Sequence, residues 1–128
     1  DYSSVVRSDL HDYPKTRRWW QGRIALMGDA AHATTPNLGQ GGCQAVEDGW
    51  AIAQFLQRSP QPETAFAAYQ RYRYAKAKKV IDLSWTFNQM TNIRQPWLRN
   101  LRDTLMRAIP GSVNARLIDP IFRIEPIP

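Results

Sequence analysis

A chain of 128 residues, 43% hydrophobic and 22% charged, has the size and composition of one modest globular domain with a real core. No apolar run approaches the roughly 20 residues of a membrane-spanning helix, which excludes such a span. The lone Cys43 excludes an intrachain disulfide and fits a reducing cytoplasm.

The chain opens at Asp1 without an initiator Met or a basic-then-apolar leader, and its first residues read like mid-domain sequence. We expect a piece of a longer polypeptide. The formal net charge of +6 is concentrated between residues 70 and 108. There Arg71, Arg73, Lys76, Lys78, Lys79, Arg94, Arg99, Arg102 and Arg107 face only Asp82 and Asp103. Such a patch suits nucleic acid, an anionic membrane face or an acidic partner. Without a nucleic-acid motif beside it, a solvated helix face is the expected reading and nucleic acid the disfavoured one.

In chain order, the loose alternation of Tyr2–Leu10 predicts a short strand. Residues 11–21 form a polar connector carrying Trp19 and Trp20. Arg23–Met27 predicts a better strand, nearly continuous in apolar residues and closed by Gly28; that pattern implies burial on both faces. The spacing of Ala45, Val46, Trp50, Ala53, Phe55 and Leu56 predicts a helix over 43–57, with Glu47, Asp48, Gln54 and Gln57 polar. Ser59-Pro60-Gln61-Pro62 punctuates. A second helix is expected from Glu63 to about Leu83, with Phe66, Tyr69, Tyr72 or Arg73, and Val80 on one side. Further helices follow over 85–93 and 97–109, ended by Pro110-Gly111. The proline-bearing tail from Asn114 is expected to lie against the surface. No repeat or low-complexity segment is present.

The chemistry concentrates between Gly22 and Asp48. Gly28-Asp29 places a carboxylate at a strand end, where α/β folds bind ligands. The cluster Gly39-Gln40-Gly41-Gly42 then opens into a helix. Its glycines let a ligand approach the backbone, and the helix start offers unpaired N–H groups and partial positive charge. The pair suits a polyhydroxylated, anionic cofactor: Asp29 accepts hydrogen bonds from sugar-like hydroxyls, and the amides stabilise negative charge. Each half alone also reads as a plain turn; the joint pattern is more specific. Cys43 stands at the helix start without a neighbouring base other than His32, so it reads as structural rather than catalytic.

The joint pattern resembles the C-terminal flavin motif of single-component FAD-dependent aromatic-type monooxygenases, the para-hydroxybenzoate hydroxylase-like group. The match covers Trp19, Gly22-Arg23, Gly28-Asp29-Ala30-Ala31-His32, Pro36, Gly39-Gln40-Gly41-Gly42 and Glu47-Asp48, with a looser echo at Tyr69, Arg73 and Lys76. The form GQGGC is most similar to the urate hydroxylase and zeaxanthin epoxidase branch. The resemblance implies a fragment of an α/β FAD/NAD(P)-binding fold, mostly α-helical as it stands, with one or two short N-terminal strands. Residues 1–58 would end the FAD-binding domain, and 59–128 would form a C-terminal helical region and tail.

It further implies FAD as cofactor, NAD(P)H as reductant, and oxygen transfer that hydroxylates or epoxidises a small organic substrate. Asp29 would bond the ribityl hydroxyls, and the amides of Gly41, Gly42 and Cys43 would face the flavin pyrimidine edge. Pro36 would lie beside the isoalloxazine ring, with Gly39 and Gln40 shaping the loop. His32 would order the loop, and Asp48 would bond back to the Asp29 loop or pair with Arg73. No catalytic side chain and no metal ligand is expected. The G-x-G-x-x-G fingerprint is missing, so the partner implied first is an N-terminal FAD-binding segment, without which the chain would bind FAD weakly and lack turnover.

Two other readings compete. One is a helical interaction module using the basic 70–108 face for an acidic partner or nucleic acid. The other is a different flavoprotein of this fold, a halogenase or reductase. Self-association is also expected, because Trp19, Trp20, Ile24, Leu26, Trp50 and Phe55 are too many for so few elements to cover.

Overall fold

The computed structural model describes Ser4 and residues 16–127, apart from the side chains of Asn114 and Leu117. The strand expected over Tyr2–Leu10 falls outside these residues, Ser4 excepted. Two short strands, β1 (Trp20–Gln21) and β2 (Ile24–Ala25), pair antiparallel with Trp20 opposite Ala25 and Gln21 opposite Ile24. Gly22 opens the two-residue turn with φ near +53°, the sign that tight hairpin turns require. The apolar run therefore does not form a strand buried on both faces. Ile24 is 71% exposed, and among the described residues the only pairing is within this hairpin.

Five helices follow: α1 (Asp29–His32), α2 (Gly41–Arg58), α3 (Pro62–Thr91), α4 (Pro96–Ala108) and α5 (Gly111–Phe122). Proline occupies the first position of α3 and of α4, where its missing N–H has no helical partner to lose. Helices expected over 63–83 and 85–93 are one continuous helix, because nothing around Ser84 interrupts the backbone ladder and Ser84 itself is buried. The tail is also more ordered than expected. Residues 111–122 are helical despite Pro120, and the stretch beyond crosses α3, accepting at the Glu125 carbonyl from the Tyr72 hydroxyl and at the Arg123 carbonyl from Lys76 Nζ.

The core forms where α2 and α3 meet the hairpin. Trp19, Ala31, Ala51, Tyr69 and Ala77 are its buried members, with Leu26, Ile52, Phe55, Tyr72, Tyr74 and Ile127 packed around them. The alanines bring the helix backbones close enough for the large rings to fill what remains. Trp19 is 2% exposed, its ring centroid 5.3 Å from His32, 5.8 Å from Tyr69 and 5.5 Å from Tyr74. Gln70 on α3 holds that strand entry by accepting from the Trp19 N–H and donating to the Arg17 carbonyl. Of the six apolar residues singled out as hard to cover, Trp19 is buried and Leu26 and Phe55 pack on the core, while Ile24 and Trp50 remain exposed.

The buried side of α2 differs from the one its apolar spacing predicts. Gln44, Asp48 and Ala51 face inward, whereas Val46, Trp50 and Leu56 are exposed. Polar partners on α3 make the reversal favourable. On the α3 side, Phe66, Tyr69, Arg73 and Val80 are buried as expected, and the choice between Tyr72 and Arg73 falls on Arg73, with Tyr72 half-buried.

Gly28 carries the tightest backbone constraint. Its φ is near +55°, and a Cβ there would stand 3.1 Å from the Cβ of Ala45. Gly28→Ala combines left-handed strain with a clash against α2 and is expected to destabilise by about 2 kcal/mol or more. Gly42 sits early in α2 with open space around it, so Gly42→Ala is expected to stabilise by about 0.5–1 kcal/mol. Urea denaturation of both variants checks the opposite signs.

Candidate functional site

The site begins at the turn from β2 into α1. Gly28 turns the chain, and its carbonyl accepts from the Ala31 and His32 N–H groups, so residues 29–32 wind into a single helical turn rather than an open loop. Asp29 is the exposed first residue of that turn, and His32 is buried. After Thr34 and Thr35 the chain makes a 3-10 turn at Pro36–Leu38. Gly39 closes it in a left-handed conformation, φ +63°, donating its N–H to the Pro36 carbonyl at 2.9 Å. Gln40 is buried and precedes the first residue of α2, with no side-chain cap. The backbone ladder of α2 starts with the Gln44 N–H donating to the Gln40 carbonyl, so the amides of Gly41, Gly42 and Cys43 precede it.

All seven expected cofactor-binding residues, Asp29, Pro36, Gly39, Gln40, Gly41, Gly42 and Cys43, thus lie between α1 and the first turn of α2. Asp29 and the helix start converge. A Cβ built on Gly41 would lie 3.9 Å from Asp29 Oδ1 and 3.7 Å from Thr34 Cγ2. Gly42 has open space around it, and Gly42 and Cys43 are exposed. The Thr34 hydroxyl was not singled out by its sequence, and no spacing signal marks it. It is buried without a hydrogen-bond partner among the described residues, while the methyl group of the same side chain lies beside Gly41. An orphaned hydroxyl, an acidic side chain and an uncapped helix start fit a ligand rich in donors and acceptors. His, Cys, Asp and Glu nowhere gather as a metal site among the described residues.

Behind this surface stands a buried polar cluster. Asp48 is fully buried: its Oδ2 accepts the Gly28 N–H at 2.9 Å and lies 2.5 Å from His32 Nε2, and its Oδ1 accepts Arg73 Nε at 2.7 Å. Asp48 thus makes both of the contacts considered for it, to the Gly28–Asp29 turn and to Arg73. Arg73 also donates to Glu47 at 2.5 Å, and to the Gln44 side chain and carbonyl at 2.7 and 3.2 Å. Lys76 reaches both Glu47 oxygens. Two carboxylates and two cations balance, which is what makes the burial tolerable.

Burial pushes the Asp48 carboxyl up, but hydrogen bonds from His32, Arg73 and the Gly28 amide outweigh it and hold the group below its ordinary value of 3.8. Asp48 is therefore an anion at neutral pH, and His32 Nε2 is its donor. Burial, then the nearby Asp48 charge, drives the Tyr69 hydroxyl far above its usual range, so it stays a neutral donor to the Leu26 carbonyl at 3.3 Å. A second grip lies farther along α3. Ser84 donates to the Thr35 carbonyl at 2.6 Å and accepts from the Thr35 hydroxyl at 2.9 Å, pinning the residue before Pro36.

The same contacts thin out the basic patch. Arg73 and Lys76 serve the cluster, Lys78 pairs with Asp82 four residues on, and Arg102 binds Asp103 and the Met90 carbonyl.

A glycine-opened helix start thus stands beside an acidic turn. A family model described as an FAD binding domain matches residues 10–84, more than half of the chain, and the chain belongs to that family. It is 40% identical over 115 residues to aurachin C monooxygenase/isomerase of Stigmatella aurantiaca, covering 89% of this chain and 30% of that protein. It is 32% identical over 129 residues to the FAD-dependent urate hydroxylase of Klebsiella pneumoniae, covering 94% and 33%. A 61-residue stretch is 49% identical to the chloroplastic zeaxanthin epoxidase of Oryza sativa subsp. japonica, covering 48% and 9%. The two proteins that named the expected branch are thus among its relatives. The chain spans no more than about a third of the length of these relatives.

Because Asp48 is depressed, its contribution to stability is complete above the ordinary carboxylate value near 3.8 and is lost as pH falls through its lower folded value. Thermal midpoints between pH 7 and 2 are expected to fall on that acid side, and less steeply in Asp48→Asn. Arg73→Met leaves Asp48 and Glu47 without their guanidinium and is expected to cost about 3–5 kcal/mol in urea denaturation at pH 7.

Proposed function

We propose that this chain is the flavin-edge portion of an FAD-dependent monooxygenase that takes electrons from NAD(P)H and uses oxygen to hydroxylate or epoxidise a small organic substrate. The observation that carries the reading is the approach of the Asp29 carboxylate to the glycine-opened start of α2. Family membership supports FAD as the ligand, and the monooxygenase, hydroxylase and epoxidase names of the relatives support the reaction class.

In this reading Asp29 accepts hydrogen bonds from the ribityl hydroxyls, and the Thr34 hydroxyl gains a partner that none of the described residues gives it. The amides of Gly41, Gly42 and Cys43, with the α2 dipole behind them, face the pyrimidine edge, where they stabilise the negative charge that flavin gathers on reduction. Pro36 and the 3-10 turn wall the ring, and Gly39 and Gln40 set the loop's exit into α2. The bound flavin supplies the redox and oxygen chemistry; the protein supplies orientation, fixed dipoles and exclusion of water. His32 has no catalytic part, since its Nε2 is spent on Asp48. The rest of the cofactor site, and the pocket that selects the substrate, belong to an N-terminal FAD-binding segment, with residues 1–58 closing that domain and 59–128 bracing it.

Flavin fluorescence titration tests the division. The 128-residue chain alone is expected to bind FAD weakly or not at all, and tight stoichiometric binding overturns the need for a further segment. In the full polypeptide, Asp29→Ala is expected to weaken FAD binding roughly 10–100-fold. Gly42→Ala is expected to weaken it while the apoprotein gains stability, a split that loss of folding cannot produce. Unchanged affinity in both variants removes the proposed site.

A further inference from the structure

The chain beyond α5 crosses α3 in a matched register. Ile121, 1% exposed, anchors the end of α5, and Ile127 packs on the core, so the residues between them are held at both ends. Arg123 leaves the helix in an extended conformation. Its carbonyl accepts from Lys76 Nζ at 2.8 Å, and the Glu125 carbonyl accepts from the Tyr72 hydroxyl. Two residues of extended chain and four of helix both cover about 6–7 Å, so the two carbonyls meet two side chains on one face of α3. Lys76 joins this tail to the buried cluster. An ammonium has three N–H donors, and those of Lys76 go to the two Glu47 oxygens, at 2.8 and 2.7 Å, and to the Arg123 carbonyl. The side chains of Lys76 and Glu47 are only 13% and 12% exposed. Without the tail the ammonium loses one acceptor and the pair meets water, which competes for both partners. The contacts run on from there. Glu47 accepts from Arg73 Nη1 at 2.5 Å, Arg73 Nε donates to Asp48 Oδ1 at 2.7 Å, and Asp48 Oδ2 accepts the Gly28 N–H at 2.9 Å, where the turn carrying Asp29 attaches to α2.

We propose that residues 123–127 are a latch on the candidate site, with Lys76 as the positioning residue that carries their effect. Seated on α3, the tail holds Glu47 and Arg73 in place and, through Asp48, holds the Gly28–Asp29 turn against α2. Released, it leaves that turn free to move. The tail on or off α3 is the two-state element, and the turn responds to it. Coupling of this kind is reciprocal, so a ligand that fixes the turn also seats the tail. The latch itself needs no ligand, which keeps its test separate from that of the cofactor reading.

Native-state hydrogen exchange at low urea, read amide by amide by NMR in the 128-residue chain, tests the latch. Truncation after Phe122 and Lys76→Met are each expected to speed exchange at the Gly28 amide about tenfold. The amide of Ala51, fully buried in α2, is expected to change less. Truncation and Lys76→Met together are expected to give far less than the product of their separate factors, since both break one series of contacts. Lys78→Met, which removes an exposed lysine paired with Asp82, is expected to leave Gly28 as in the parent. Tyr72→Phe loosens the tail by a single hydrogen bond and is expected to give the same pattern at about threefold, which decides the matter if truncation prevents folding. Unchanged Gly28 exchange in Lys76→Met and Tyr72→Phe overturns the proposal. So does acceleration of Gly28 and Ala51 by one common factor, because the tail then adds only to overall stability. Full multiplication of the two separate factors in the combined variant overturns it as well.

Discussion

The buried contact between Asp48 and Arg73 sets the rest of the structure. A carboxylate and a guanidinium removed from water face a desolvation penalty of several kcal/mol each, offset when further hydrogen bonds take up their lone pairs and N–H groups. Here Asp48 accepts from Gly28, His32 and Arg73, and Arg73 donates on to Glu47 and to both oxygens of Gln44. The demand for these partners gives the contact its reach. Because one acceptor must meet the Gly28 N–H, the turn carrying Asp29 has one position relative to α2, and Arg73 ties that position to α3.

The surface of the proposed site follows from what this cluster leaves out. Asp48, Glu47 and Gln44 turn inward, so none of them caps the start of α2, and the amides of Gly41, Gly42 and Cys43 keep their dipole for something else. Positive potential at that end and the negative side chain of Asp29 stand close together, with glycine hydrogens where side chains would otherwise intervene. A ligand with hydroxyls beside a charge-gathering ring satisfies both, whereas phosphate would be repelled by Asp29.

Much of this is legible in the sequence. The order carboxylate, proline loop, glycine cluster, helix names its residues directly, because each depends on short-range backbone chemistry: positive φ at Gly39, a missing side chain at Gly41, unpaired amides at Gly42 and Cys43. The inward face of α2 was not legible. Apolar spacing favours Val46, Trp50 and Leu56; the resemblance offers Arg73 as a partner for Asp48, but nothing local to α2 says that the pair is buried between the helices. The Thr34 hydroxyl is invisible for a related reason: its lack of a partner among the described residues is a property of the packed surroundings. Residues 24–27 misled because a buried strand and a short hairpin arm share the same apolar run, and only the Trp20–Ala25 pairing separates them.

The fusion of two expected helices into α3 bears on function more than on outline. Ser84 stands where a break was expected, and it grips Thr35 through both the hydroxyl and the carbonyl. Arg73, 11 residues earlier on the same rod and about 16 Å away along its axis, grips α2 and, through Asp48, the Gly28 turn. Were the chain broken between them, each grip could form alone while the loop before Pro36 drifted relative to the start of α2. A continuous helix removes that freedom, since its length cannot change without breaking hydrogen bonds. The residue before Pro36 and the Gly28 turn are therefore both referred to one continuous helix, and their relative position is set by the spacing of two residues on α3.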